Sequence, residues 1–273
     1  MAEKTGWERE RRKHFDEIVE AYDKTRWEYP RELYEDVLKY CTAEKKSIEI
    51  GAGTGIATLP FLEAGFSVTA VEMGENMADF LMKKFGANKN FSVINSTFEE
   101  ASLQDESYDL IYAASAFHWV DEKIGGPKVF RLLKSGGAFA LFRNNQMPSV
   151  GEEPYDSIRS VYEKYYDSHY KNSQKPVRKT HVDFLTSDEI HRSFRCKGLE
   201  HYGFVDIEMK FYDASQMYNA DERIALMDTF SDHRELPKEN RERLYSGVKE
   251  AIIKHGGQLR VDSIFQLYMG RKH

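Results

Sequence analysis

Apolar residues recur at helical spacing twice near the start of the chain, at Phe15, Ile18, Val19 and Tyr22 and again at Leu33, Val37, Leu38 and Cys41. Each set falls on one face, which predicts two amphipathic helices. Tyr29-Pro30 divides them, and Pro30 suits the first turn of the second, where a backbone N–H has no helical partner to lose. From Lys46 the period changes. Ser47 to Ile50, Ser67 to Val71, Phe91 to Ile94, Asp109 to Ala113 and Ala138 to Phe142 read as five strands. Helices fall between them, one running to Leu62 and another marked by Met77, Phe80, Leu81 and Phe85. This alternation predicts an α/β fold, a mostly parallel sheet with helices on both faces, joined by right-handed crossovers. Beyond Phe142 the pattern loosens: Asn144 to Asp156 reads as a polar connection, Tyr155 to Tyr170 as an aromatic helix, and Lys171 to His181 as a basic stretch. Phe204 to Phe211 and Leu259 to Met269 supply two later strands, with helical stretches at Asp221 to Phe230 and Asn240 to His255. The expected organisation is an N-terminal helical cap (1–45), a core sheet (46–143), and later core strands carrying helical insertions that cap the cleft (144–273).

Composition narrows the class. With 273 residues and 41% hydrophobic content the chain can bury one large core. Lys and Arg number 39 against 45 Asp and Glu, a net charge of −6, which argues against a nucleic-acid duplex as partner. Met1 to Asp16 is dense in charge without an apolar run, so no signal peptide is expected. Leu110 to Val120, interrupted by Ser115 and His118, falls short of the roughly 20 residues of a membrane span. Cys41 and Cys196 are the only cysteines and lack metal-type spacing, so neither a disulfide framework nor a metal site is expected. These features fit a reduced, water-soluble, cytoplasmic protein, and they leave its oligomeric state open.

The sharpest local feature is Glu49-Ile-Gly51-Ala-Gly53-Thr-Gly55, lying between a strand and a helix. Glycines there permit positive φ and let a ligand approach the backbone with no Cβ in the way. The helix that follows offers free N–H groups to an anion. A dinucleotide loop competes with this reading, but its G-x-G-x-x-G pattern requires a glycine where this chain has Ile56. Glu49 adds an electrostatic objection, since an acid beside the loop favours the ammonium of a zwitterionic amino acid over a pyrophosphate. Glu72 follows the second strand and can accept both hydroxyls of a ribose, its side chain exposed in an empty cleft; a solvated glutamate is the alternative.

Glu49 to Gly55, Glu72, Phe98-Glu99, Tyr108-Asp-Leu-Ile111, His118-Trp119 and Leu133-Lys-Ser-Gly-Gly137 resemble the class I S-adenosylmethionine-dependent methyltransferases. The type 11 group, which includes trans-aconitate methyltransferase, is the most similar, over about Tyr22 to Arg143. The resemblance implies a Rossmann-like fold and S-adenosylmethionine as cofactor. It also implies that Glu49, Gly51, Gly53 and Gly55 hold the methionine half and Glu72 the ribose. Where the group often has an aspartate facing adenine, this chain has Thr97. Adenine is then expected on the backbone of Thr97 and Phe98, with apolar packing from Met73 and the strand end at Ala114. The usual Lys-Pro-Gly-Gly turn reads Lys134-Ser-Gly-Gly137, a change expected to matter only structurally.

The loop Ala114 to Trp119 follows the fourth strand, and ligands in open α/β sheets bind beyond such strand ends. His118 is the one candidate general base, with a role in shaping the loop as its alternative. Trp119 reads as an aromatic wall. Tyr22, Arg26 and Tyr29-Pro30 resemble the group's N-terminal segment, which folds over the cleft, so Tyr22 and Arg26 are candidates for substrate contact. Arg143 and Arg234 are candidate anion binders, and the basic stretch from Lys171 to Lys179 reads as a flap or a solvated loop. The expected activity is methyl transfer to a small-molecule acceptor, with a carboxylate as one option. A nicotinamide-dependent oxidoreductase and a non-catalytic binder of S-adenosylmethionine are the rivals.

Overall fold

A computed structural model describes residues 16–41, 45–150, 153–172, 175–186 and 197–273. Phe15, Cys196 and the middle of the basic stretch lie outside the described residues. Two helices come first, α1 (Val19–Thr25) and α2 (Arg31–Tyr40). Leu33, Tyr34, Val37 and Tyr40 make the buried stripe of α2. Five strands then alternate with helices: β1 (Lys46–Ile50), α3 (Thr58–Glu63), β2 (Ser67–Glu72), α4 (Glu75–Phe85), β3 (Phe91–Asn95), β4 (Tyr108–Ala114), α5 (Glu122–Leu132) and β5 (Leu133–Met147). An insertion follows, α6 (Glu153–Tyr162), continued by one wider turn and Ser168–Tyr170, then α7 (His181–Thr186) and α8 (Lys197–His201). The chain closes with β6 (Phe204–Asn219), α9 (Ala220–Met227), α10 (Ser231–Arg234), α11 (Lys238–Lys254) and β7 (Gln258–Lys272).

The seven strands form one sheet in the order β3-β2-β1-β4-β5-β7-β6, with β1 to β5 parallel and β7 antiparallel to both β5 and β6. Alternation along the strands sorts side chains between two cores. Ile48, Ile111, Phe139, Leu141 and Tyr268 face α5 and α8. Leu110, Tyr112, Ala140, Phe142 and Phe265 face α2 and the later helices. On this second face the rings of Phe61, Tyr112 and Phe142 stack, with centroids 4.3 to 6.3 Å apart. Such aromatic pairs add about 0.5–1.5 kcal/mol each beyond their buried area.

The later strands are much longer than their hydrophobic patterns predict. β5 runs on through Arg143-Asn-Asn-Gln146 because β7 pairs with it from Ala138 to Met147. The ladder satisfies backbone groups that a polar segment would otherwise turn toward water. What reads as a polar connection from Asn144 is therefore strand as far as Met147. β6 likewise extends to Asn219, register-matched to β7 down to Gln258. α11 lies on α6 at Gly247, where a Cβ would come within 2.7 Å of Val161.

Gly55 supports the packing of the loop after β1. Its φ is +81°, and an added Cβ would meet Phe85 and come within 2.9 Å of Leu81 on α4. Gly55→Ala should cost about 2–4 kcal/mol, combining left-handed strain with overpacking. Gly136→Ala, at a φ of +76° with nothing within 4 Å, should cost about 1–2 kcal/mol. Urea denaturation of the two variants measures the difference, and equal losses would show that α4 yields without cost.

Candidate active site

β1 and β4 are neighbours at the point where the strand order reverses, so a crevice opens between the turns that follow them. A Cβ on Gly51, whose φ is +65°, would lie 2.7 Å from the Cβ of Ala116, so only glycine lets the two turns meet. A Cβ on Gly53, whose φ is +58°, would meet only Tyr22, at 4.0 Å, so its backbone is open to the cleft. Ser115 also holds a positive φ, +53°, which costs about 1–2 kcal/mol for a residue with a Cβ. It is held there by its own N–H, which donates to Phe142 O, and by a 2.8 Å bond between its hydroxyl and that of Tyr29.

Glu72 ends β2. Sequence reasoning places its side chain exposed in the empty cleft; instead it is 8% exposed. Its carboxylate accepts from Gly53 N at 2.8 Å and from Gly74 N at 2.9 Å, tying the turn after β1 to the turn after β2. Burial raises its pKa, and these backbone donors pull it back. Glu72, Met73, Thr97, Phe98, Ala114 and Trp119 line one compartment, whose empty volume is about 780 Å³ including the part open to solvent. That size falls in the usual range for a ligand cleft. The hydroxyl of Thr97 is engaged with Glu100 at 2.9 Å, leaving its backbone on the wall.

A second compartment lies on the other side of the glycine loop, lined by Arg26, Trp27, Tyr29, Glu49, Thr54, Asn144 and Gln146. Tyr22, Gly51, Gly53, Ala114 and Ser115 line both compartments, which makes them one cleft. Arg26 donates to Thr229 O at 2.6 Å, and its guanidinium lies over the rings of Tyr22 and Phe230, 4.6 and 4.9 Å from their centroids. Arg26 Nε, Trp27 Nε1, Thr54 Oγ1 and Asn144 Oδ1 are buried without a hydrogen-bond partner among the described residues. Buried polar atoms are nearly always paired. Four orphans on one wall leave hydrogen-bonding capacity that a polar ligand could meet.

Glu49 faces this wall from the aromatic side of the sheet and is 1% exposed. Thr58 Oγ1 and Tyr112 Oη both donate to its Oε2, at 2.5 and 3.0 Å. Burial pushes its pKa up to about 8; the two hydroxyls work against that shift, and the charge of Glu72 adds to it.

Four candidates lie elsewhere. Gly55 lines neither compartment, because its bare face is filled by Leu81 and Phe85. His118, on the turn Phe117–Trp119, lines neither, and its ring lies 5.1 Å from that of Trp119. Arg143 alternates with Phe142 and Asn144 along β5, which turns it to the opposite face. Arg234 is engaged by Asp228 at 3.1 Å and Glu17 at 3.4 Å. Sequence reasoning missed Asn144 and Gln146, because β5 was expected to end at Phe142. The alternation Phe142-x-Asn144-x-Gln146 was the available signal. Tyr29 and Ser115 were visible only as parts of their segments.

The sheet order, the glycine loop and the acid ending β2 match the arrangement of the class I S-adenosylmethionine-dependent methyltransferase fold. Residues 48–141 match the type 11 family described as Methyltransferase domain. An uncharacterized methyltransferase of Mycobacterium tuberculosis is 34% identical over 137 residues, 50% of this chain and 54% of the relative. The chain thus spans about half the length of the mycobacterial relatives it matches. An uncharacterized methyltransferase of Schizosaccharomyces pombe is 24% identical over 86% of this chain and 85% of its own. A phosphoethanolamine N-methyltransferase of Haemonchus contortus, solved with S-adenosyl-L-methionine, shares the fold. Its TM-score is 0.52 at 16% identity, covering 94% of this chain and 57% of that one. Tyr22, Arg26, Asn144 and Gln146 lie outside the family match.

The raised pKa of Glu49 has a testable consequence. An unfolded glutamate titrates near 4.3, so between about pH 4.3 and 8 the folded protein binds the extra proton. Stability from this group is therefore complete below the unfolded pKa and is lost as pH rises toward about 8. Without ligand, Glu49→Gln should flatten the fall in stability between pH 5 and 8, on the order of a few kcal/mol. Urea titrations at several pH values test this, and parallel curves for both proteins would place the proton elsewhere.

Proposed function

We propose that the protein transfers the methyl group of S-adenosylmethionine to a small-molecule acceptor, and that the acceptor group is a carboxylate. The observation that carries this reading is the two-part cleft, with a buried acid at one end and four unpaired polar atoms at the other. In the first part, Glu72 would accept the ribose hydroxyls, while the backbone of Thr97 and Phe98, with Met73, would hold adenine. In the second, Gly51 and Gly53 would let the methionine half approach the backbone. Glu49 would meet its ammonium and Arg26 its carboxylate. Tyr22, from the N-terminal helical cap (1–45), and Trp119, from the loop after β4, would close the cleft over the cofactor, with the helical insertions of 144–273 capping it.

S-adenosylmethionine supplies a methyl on a sulfonium, an electrophile that is already activated. What remains for the chain is to hold an acceptor oxygen close, aligned and away from water, and such positioning supplies much of the acceleration. A carboxylate needs no proton removed. That matters because His118, the one general base expected from sequence, lies outside both compartments. A cytoplasmic location belongs to the same proposal, resting on the sparse, unpatterned cysteines and on the absence, among the described residues, of a helix long and apolar enough to cross a membrane.

Calorimetry should show S-adenosylmethionine and S-adenosylhomocysteine binding in preference to NAD and NADP; tighter binding of either dinucleotide would refute the assignment. Glu72→Gln should weaken cofactor binding by about 1.5–3 kcal/mol for each charge-assisted bond lost. For the chemical step, His118→Asn should change single-turnover rates by less than about tenfold. A loss of about 10²–10⁴ would mark it as a general base after all. Methyl transfer to any acceptor separates the enzyme from a protein that only senses the cofactor.

A further inference from the structure

Beyond Gln146 the cleft does not end. Gln146 lines the compartment of Arg26 and Asn144, and it also lines a chamber between β5, β7 and α6. Met147, Tyr155, Ile158, Tyr162, Leu259 and Val261 form half of that chamber's lining, and they are apolar or aromatic. Three compartments therefore stand in a row, joined first at the glycine loop and then at Gln146.

Two guanidinium groups reach the chamber, and they differ. Arg159 is bound to Asp167 and lies 3.4 Å from Glu163, so its charge is matched. Arg223, from α9, donates to Gln146 Oε1 at 3.0 Å and touches the Tyr162 hydroxyl. Among the described residues it has no carboxylate within ion-pair distance. An unmatched cation thus stands at the junction between the apolar chamber and the compartment with the orphaned Asn144 Oδ1. Guanidinium groups bind carboxylates in preference to neutral groups.

We propose that this chamber holds the methyl acceptor, and that the acceptor is an apolar carboxylic acid. Arg223 and Gln146 hold its carboxylate at the junction, while its hydrocarbon body fills the space under α6. The inference rests on the methyltransferase reading above. In the step it implies, a carboxylate oxygen forms a bond to the methyl carbon as the carbon–sulfur bond breaks and its electron pair returns to sulfur. The products are a methyl ester and a neutral thioether, the two opposite charges cancel, and no proton moves.

The test uses butanoate and octanoate, titrated calorimetrically into the full chain saturated with S-adenosylhomocysteine, where no turnover occurs. Each methylene taken from water strengthens binding about fourfold, so octanoate, with four more methylenes, should bind up to roughly 250-fold more tightly than butanoate. Arg223→Gln should weaken octanoate at least tenfold and leave 1-octanol unchanged. Ile158→Trp, which fills the chamber, should abolish the chain-length gain. Both variants should keep the S-adenosylhomocysteine affinity and melting temperature of the parent, and octanoate with S-adenosylmethionine should then yield its methyl ester. Equal binding of the two acids, or an Arg223→Gln variant that binds octanoate like the parent, overturns the chamber assignment alone. Failure of S-adenosylhomocysteine to bind at all overturns the methyltransferase reading with it.

Discussion

The carboxylate of Glu72 joins the turn after β1 to the turn after β2, and the cleft takes its shape from that tie. An acid 8% exposed is costly to keep charged, and here backbone N–H groups of Gly53 and Gly74 meet the charge. Hydrogen bonds to a charged acceptor contribute about 1.5–3 kcal/mol each, enough to fix two glycine-containing turns that have little conformational preference of their own. Once the turn at Gly53 is fixed, Gly51 can press against Ala116, and the turns after β1 and β4 close on one another. Ser115 is then held in a strained conformation by Tyr29, which brings the N-terminal segment over the crevice. One buried acid thus sets the positions of three turns and of the segment that covers them.

Glu49 presents the opposite case. It lies beside Tyr34 and Tyr112, and among the described residues its only side-chain donors are two hydroxyls on one oxygen. With no cation beside it among the described residues, the acid holds its proton to about pH 8. A ligand bearing an ammonium would supply the missing charge and release that proton. An acid in this setting suits a zwitterion better than phosphates, in keeping with Ile56 standing where a dinucleotide loop has its third glycine.

Much of the sheet was legible from the sequence because a parallel core writes itself plainly. β1, β2 and β4 are short, apolar runs bounded by glycine or charge, and the acids ending or preceding the turns stand out against them. The later strands were not legible to their full length. Asn144, Asn145 and Gln146 have poor strand propensity, and only the ladder with β7, more than a hundred residues on, makes them strand. For that reason Asn144 and Gln146 escaped notice, whereas Arg143, the more conspicuous residue, points to the other face. The packing role of Gly55 was hidden in the same way: a glycine in a candidate ligand loop can also serve packing, and Leu81 and Phe85 are what it accommodates. Burial of Glu72 was likewise invisible, since its donors are backbone groups that no side-chain pattern reveals.

The central claim is that Glu72, the glycine loop and the polar wall at Arg26 and Asn144 form one cofactor cleft. A crystal structure with S-adenosylhomocysteine tests it most directly. The account predicts the ribose hydroxyls within hydrogen-bond distance of Glu72, adenine against Met73 and Phe98, and the amino-acid end beside Glu49 and Arg26, with the sulfur facing the Asn144–Gln146 wall. A ligand bound with its adenosine away from Glu72, or with its amino-acid end outside the Arg26 compartment, would contradict it.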